Sequence, residues 1–230
     1  MIPSEPIRRA AGFSALRQFV KTASDTSKRQ RGEHCEMCAM LLPEVHPHLV
    51  EPATRRIVCA CDACALLFDN PAQMKYRRVP RRIRRLVDFQ LSDAQWNDLL
   101  IPINMAFFFH STPAERVVAI YPSPAGPVES LLTLESWTGM VADNPLLATM
   151  EADVEALLVN RLAPQSGFSE PEYFLAPIDE CYKLVGVLRM QWRGLSGGAE
   201  VWGHIQRFFA DLGQRATPVR GRGMEKIDHA

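Results

Sequence analysis

Two cysteine pairs constrain this chain more than any other feature. Cys35-Glu36-Met37-Cys38 and Cys61-Asp62-Ala63-Cys64 are separated by positions 39–60, a gap of 22 residues. Two residues between thiolates let both sulfurs converge on one ion through a tight turn. Small Ala39 and Ala65 follow the pairs, which leaves backbone amides free to turn towards the sulfurs. Four soft thiolates in a tetrahedron suit Zn2+, with iron of the rubredoxin type as the alternative. Five of the six cysteines fall between Cys35 and Cys64, and only Cys181 lies outside. In a cytosolic protein such clustering reads as metal ligation rather than disulfide bonding.

The residues between the pairs suggest how the ligands are mounted. His48-Leu49-Val50-Glu51 and Arg55-Arg56-Ile57-Val58-Cys59 are short strand-like runs around Pro52-Ala53-Thr54, a hairpin pattern. Ala63 to Phe68 then reads as a helical turn ending near Asp69-Asn70-Pro71. Knuckle, hairpin and helix describe a treble-clef finger, with a zinc ribbon as the near alternative. Cys59 lies two residues before Cys61, and strand alternation would put both side chains on one face. Cys35, Cys38, Cys61 and Cys64 are therefore the first-choice ligands, with His48 and Cys59 in reserve. His46 is another possible replacement for a thiolate, and His34 reads as exposed. A site filled by four protein ligands has no open position and does no chemistry. A nuclease built on such a finger would need an Asp-His pair and a later histidine or asparagine, which the sequence lacks.

Charge divides the chain in two. Residues 1–90 hold 16 Lys/Arg against 9 Asp/Glu, a net of +7, and residues 91–230 hold 10 against 17, a net of −7. The zero total thus hides a dipolar molecule, with its basic excess in the run from Lys75 to Arg85. Such asymmetry suggests a charged partner or docking between the halves; a solvated linker is the plainer reading. Composition is that of a globular protein, 47% hydrophobic and 23% charged. No apolar run approaches a membrane span and no signal peptide is visible in Met1 to Ala10, so the expectation is a cytoplasmic protein without membrane insertion.

The remainder reads as a mixed domain of the α+β class. Ser92 to Leu100 predicts a short helix capped by Ser92. Ala106 to His110, Arg116 to Tyr121 and Val128 to Leu134 predict three strands of an antiparallel meander, with Tyr121 to Pro127 as a rigid turn. Met150 to Leu162 reads as an amphipathic helix headed by Glu151, Asp153 and Glu155. Tyr173-Phe174-Leu175 reads as a strand. Ile178, Cys181, Tyr182, Val185, Leu188 and Trp192 then mark a helix beginning at Pro177, and Cys181 on its apolar face reads as a buried thiol. A last helix runs from Ala199 to Leu212, stopped by Gly213. The implied organisation is a helical or polar lead over 1–31, a metal-binding finger over 32–74, an Arg-rich linker over 75–90, an α+β domain over 91–214 and a polar tail over 215–230. No nucleophile elbow or phosphate loop is present, and Asp179-Glu180-Cys181 reads as ordinary helix-start acids beside a core thiol. An enzyme is not the expectation.

Several segments together resemble a bacterial family encoded beside the structural genes of one group of nickel–iron hydrogenases. They are Cys35 to Cys38, His46 to Val50 and Cys59 to Phe68, then Tyr121 to Gly126, Pro177 to Tyr182 and Ser196-Gly197-Gly198. The likeness extends from about Glu33 to Leu212. It implies a hydrogenase accessory protein with paired Cys-x-x-Cys motifs, whose partners are hydrogenase subunits or an assembly intermediate. The four thiolates carry over onto the pairs named above; no particular reaction is implied. Three readings follow: a zinc-binding accessory factor, an electron carrier with one iron held by four thiolates, and, less favoured, a nucleic-acid-binding finger using Arg77 to Arg85.

Overall fold

The computed structural model describes residues 32–69, 75–130, 134–162, 170–193 and 197–221. The lead over 1–31 and the end of the tail lie outside the described residues. The described residues form two antiparallel-rich sheets and a set of helices, a mixed α+β architecture as the sequence predicts.

The smaller sheet carries the cysteine region. Strands β1 (His48–Glu51) and β2 (Arg56–Cys59) pair antiparallel in the register His48 to Cys59, and β3 (Arg77–Arg78) adds to the other edge of β1. Helix α1 (Asp62–Phe68) follows β2 directly. The predicted hairpin and helical turn are both observed.

The larger sheet has seven strands in the order β10-β4-β9-β8-β5-β6-β7. In chain order these are β4 (Arg84–Leu86), β5 (Met105–Ser111), β6 (Arg116–Ser123), β7 (Gly126–Ser130), β8 (Glu155–Asn160), β9 (Glu172–Pro177) and β10 (Thr217–Val219). The meander β5-β6-β7 and strand β9 match the sequence reading. The first of these strands ends one residue further on, and the Pro-rich turn shrinks to Pro124-Ala125 because pairing runs through to Ser123 and Gly126. Residues 131–133 of the third predicted run lie outside the described residues, and Leu134 begins a helix.

Helices cover both faces of this sheet. Helices α4 (Ile178–Gln191) and α5 (Gly198–Arg215) lie on one face, where Cys181, Leu184, Leu188, Ile205 and Leu212 join Phe107, Leu158 and Phe174. Helix α2 (Asp93–Asp98), helix α3 (Leu134–Asp143) and a 3-10 turn (Pro145–Thr149) cover the other. There Trp96, Leu99, Met140 and Leu147 meet Phe108, Leu157 and Leu175. Ser92 and Gln95 close α2 with a reciprocal capping box.

Four expectations are corrected. Met150 to Leu162 is not a helix. Its centre is β8, the middle strand, and every residue from Glu155 to Asn160 is buried. Ala156 and Leu158 face one core while Leu157 and Val159 face the other. A strand covered on both faces is apolar without alternation, so its residues also satisfy a helical spacing. Gly213 does not stop the last helix, which continues to Arg215. The start of the polar tail is ordered, with β10 pairing parallel to β4. Finally, the Arg-rich run is not a solvated linker, since it supplies β3 and β4 and four of its six arginines meet the acidic half. Arg82 and Arg84 both pair with Glu155, Arg77 with Asp153 and Arg85 with Glu172. The charge asymmetry is therefore expressed as docking between the halves.

Candidate metal centre

The two cysteine pairs converge. The sulfurs of Cys35, Cys38, Cys61 and Cys64 all lie within 4.8 Å of one another, on a knuckle and a helix start that are 22 residues apart in sequence. In the knuckle, the Ala39 amide donates to Cys35 O and the Cys35 amide to Met40 O, each at 2.8 Å. Ala39 takes a left-handed φ of 60°, which reverses the chain after Cys38. Glu36 clamps the knuckle to the hairpin. Its amide donates to Cys59 O and its Oε1 accepts from the Cys59 amide, both at 2.9 Å. On the other side Cys61 is the N-cap of α1, and its sulfur accepts from the Cys64 amide at 3.4 Å.

The donor set fits a tetrahedral ion. A zinc–sulfur bond of about 2.3 Å implies sulfur–sulfur edges of about 3.8 Å, and Cys38 and Cys61 stand 3.8 Å apart. Cys35 and Cys61 are buried beside Leu42, Leu49, Val58 and Ala65, whereas Cys38 reaches the surface. Burial works to raise the Cys35 thiol, but amide hydrogen bonds from Cys61, Cys38 and Met37 outweigh it and bring the group down to about 6. Cys64 goes the other way, pushed up to about 12 by burial and by the neighbouring sulfurs. Without a cation Cys35 and Cys64 thus differ in their readiness to ionise, and zinc or iron would favour the thiolate form at both.

The reserve residues fall elsewhere. Cys59 does not join the thiol cluster, because β2 ends at Cys59 and Cys61 already serves as the cap of α1. With His46 and His48 it makes a separate group of three. Sequence reasoning missed the tie between this group and α4. His48 Nδ1 lies 2.6 Å from Asp179 Oδ2 across 131 residues. That hydrogen bond raises the His48 pKa against the opposing effect of burial. The segment Asp179-Glu180-Cys181 does not act as a unit. Asp179 meets His48, Glu180 pairs with Arg215 at 2.7 Å, and Cys181 is sealed in the core with its thiol pushed far up by burial. The only signal available in the sequence was an acid at a helix start, which is ordinary. His34 is exposed, as predicted.

Residues 34–216 match a family of unknown function, DUF5947, and the chain belongs to that family. No curated protein matches. No solved structure matches. Among the described residues no helix is long and apolar enough to cross a membrane.

Proposed function

We propose that this protein is a zinc-stabilised accessory factor whose treble-clef-like finger holds one Zn2+ through Cys35, Cys38, Cys61 and Cys64, and that it binds subunits or an assembly intermediate of a nickel–iron hydrogenase. The observation that carries the metal reading is the convergence of four sulfurs within 4.8 Å. Protein ligands fill every position of such a site, so it would stabilise and present a surface rather than perform a reaction. The described surface near it is apolar, with Met40, Leu41, Leu66 and Leu67 all exposed. The hydrogenase partner rests on the sequence resemblance alone. The decisive experiment is elemental analysis with an absorption spectrum of protein purified without added metal, followed by co-purification from the native cell. At least one zinc per chain, no visible absorption and a hydrogenase component in the eluate support the reading. A metal-free protein or an eluate without any hydrogenase component defeats it.

One observation favours a second reading. Cys38 is exposed among apolar side chains, which gives electrons a short path to a docked partner if the ion is iron. A red protein with thiolate-to-iron bands would establish that electron carrier. The nucleic-acid reading loses its main support, because Arg77, Arg82, Arg84 and Arg85 are engaged by carboxylates. Binding that falls steeply with salt would restore it.

A further inference from the structure

His46, His48 and Cys59 bring one ring nitrogen each and a sulfur to within 4.8 Å of one another. The hairpin builds this group. His48 and Cys59 are directly opposed in the ladder, and His46 stands two residues ahead of His48. The two rings meet edge-on with centroids 4.9 Å apart.

Both rings are held from behind. His46 Nδ1 lies 2.9 Å from the Pro43 carbonyl, and His48 Nδ1 lies 2.6 Å from the Asp179 carboxylate. A neutral imidazole that donates from Nδ1 to an oxygen carries its lone pair on Nε2. Metal-bound histidines are oriented in this way by carbonyls and carboxylates behind them. The His46 side chain is only 3% exposed, yet its Nε2 makes no hydrogen bond. The nearest carboxylate oxygen, Glu33 Oε2, is 3.3 Å away on a largely exposed side chain. A buried polar atom without a partner is costly, and a cation supplies one.

We propose that His46, His48 and Cys59 form a second metal site, distinct from the four-thiolate site, that takes a late first-row divalent cation such as zinc. Three protein ligands leave a fourth position for water or the Glu33 carboxylate, the pattern of an exchangeable site rather than a closed one. Both histidines line a groove of about 610 Å³ together with Arg81, Asp179, Lys183 and Arg215, so a ligand of the ion has room to approach. Asp179 is a positioning residue that ties this site to α4.

The test is equilibrium dialysis of the full chain against buffered Zn2+, with zinc per chain read by elemental analysis and folding checked by circular dichroism. Wild type is expected to bind two equivalents. His46→Gln and Cys59→Ser are each expected to bind one. Cys59→Ser is nearly isosteric at a half-buried strand end, which guards against misfolding. Asp179→Asn should keep two equivalents but weaken the second by about 10–100-fold. Co2+ replacement identifies the surviving site in each variant, since a four-thiolate centre gives intense sulfur-to-metal bands. A single equivalent in wild type that persists in His46→Gln and Cys59→Ser overturns the second site and leaves the four-thiolate site standing. Two equivalents that survive both substitutions also overturn it. A single equivalent lost on those substitutions would support the trio and refute the four-thiolate reading.

Discussion

Replacing Glu155 by glutamine should destabilise the protein more than any single change at its surface arginines. The Glu155 side chain is 0% exposed, and Arg84 and Arg82 are 18% and 50% exposed. Arg82 Nε donates at 2.8 Å, Arg84 Nη2 at 3.1 and 3.2 Å to the two oxygens, and the Glu151 amide at 3.0 Å. Glutamine keeps the shape but strands the Arg84 guanidinium in a largely buried place. Removing one member of a buried pair costs about 3–5 kcal/mol. Arg82 can relax towards water, so the lower end, about 3 kcal/mol, is expected, or about 6–12 °C in Tm for a chain of this size. Arg82→Ala should cost only about 1 kcal/mol, because Arg84 still neutralises the carboxylate. Burial alone would raise the Glu155 carboxyl, but hydrogen bonds from Arg82 and the Glu151 amide, with the Arg84 charge, hold it below the usual range. A carboxyl lowered by folding adds stability above its unfolded pKa of about 4.3, and that contribution is lost as pH falls through the folded value. Urea unfolding of wild type and E155Q across the pH range where both fold provides the assay. A deficit under about 1 kcal/mol at neutral pH, or one that does not shrink in acid, would refute the reasoning.

Three further outcomes are expected. Cys181→Ser places a hydroxyl in the core and should cost about 1–3 kcal/mol while leaving metal content unchanged; loss of metal would reverse the ligand assignment. At Ala39, whose φ is 60°, glycine should stabilise the knuckle by up to about 1 kcal/mol, whereas valine should weaken metal binding in a competition assay with a chromogenic chelator. If the thiol cluster holds a metal, a chelator should raise hydrogen exchange most in residues 33–68, whose thiol-centred cluster is separate from the two cores of the large sheet. Amides of β5, β8 and β9 should stay protected.

The cysteine region was legible because its signals are local. Spacing places two sulfurs on one turn, and the hairpin and α1 follow within a few residues of each pair. Helices α4 and α5 were legible for the same reason, since an apolar stripe at helical spacing needs only one covered face. Strand β8 was not, because its pattern depends on what covers it. Glu155 reads as a helix-start acid until Arg82 and Arg84 are seen to reach it from 73 and 71 residues away. Cys59 shows the same limit at the site. Sequence alternation groups it with Cys61, and only the β1–β2 register places it with His46 and His48. Thus the sequence alone determined which atoms can bind soft metal and which helices are amphipathic. The tertiary structure decided how β8 and β10 pair, where the arginines dock, and that His48 is held by Asp179. These last features are contacts between distant segments, set by which surfaces meet, and local periodicity carries no record of that.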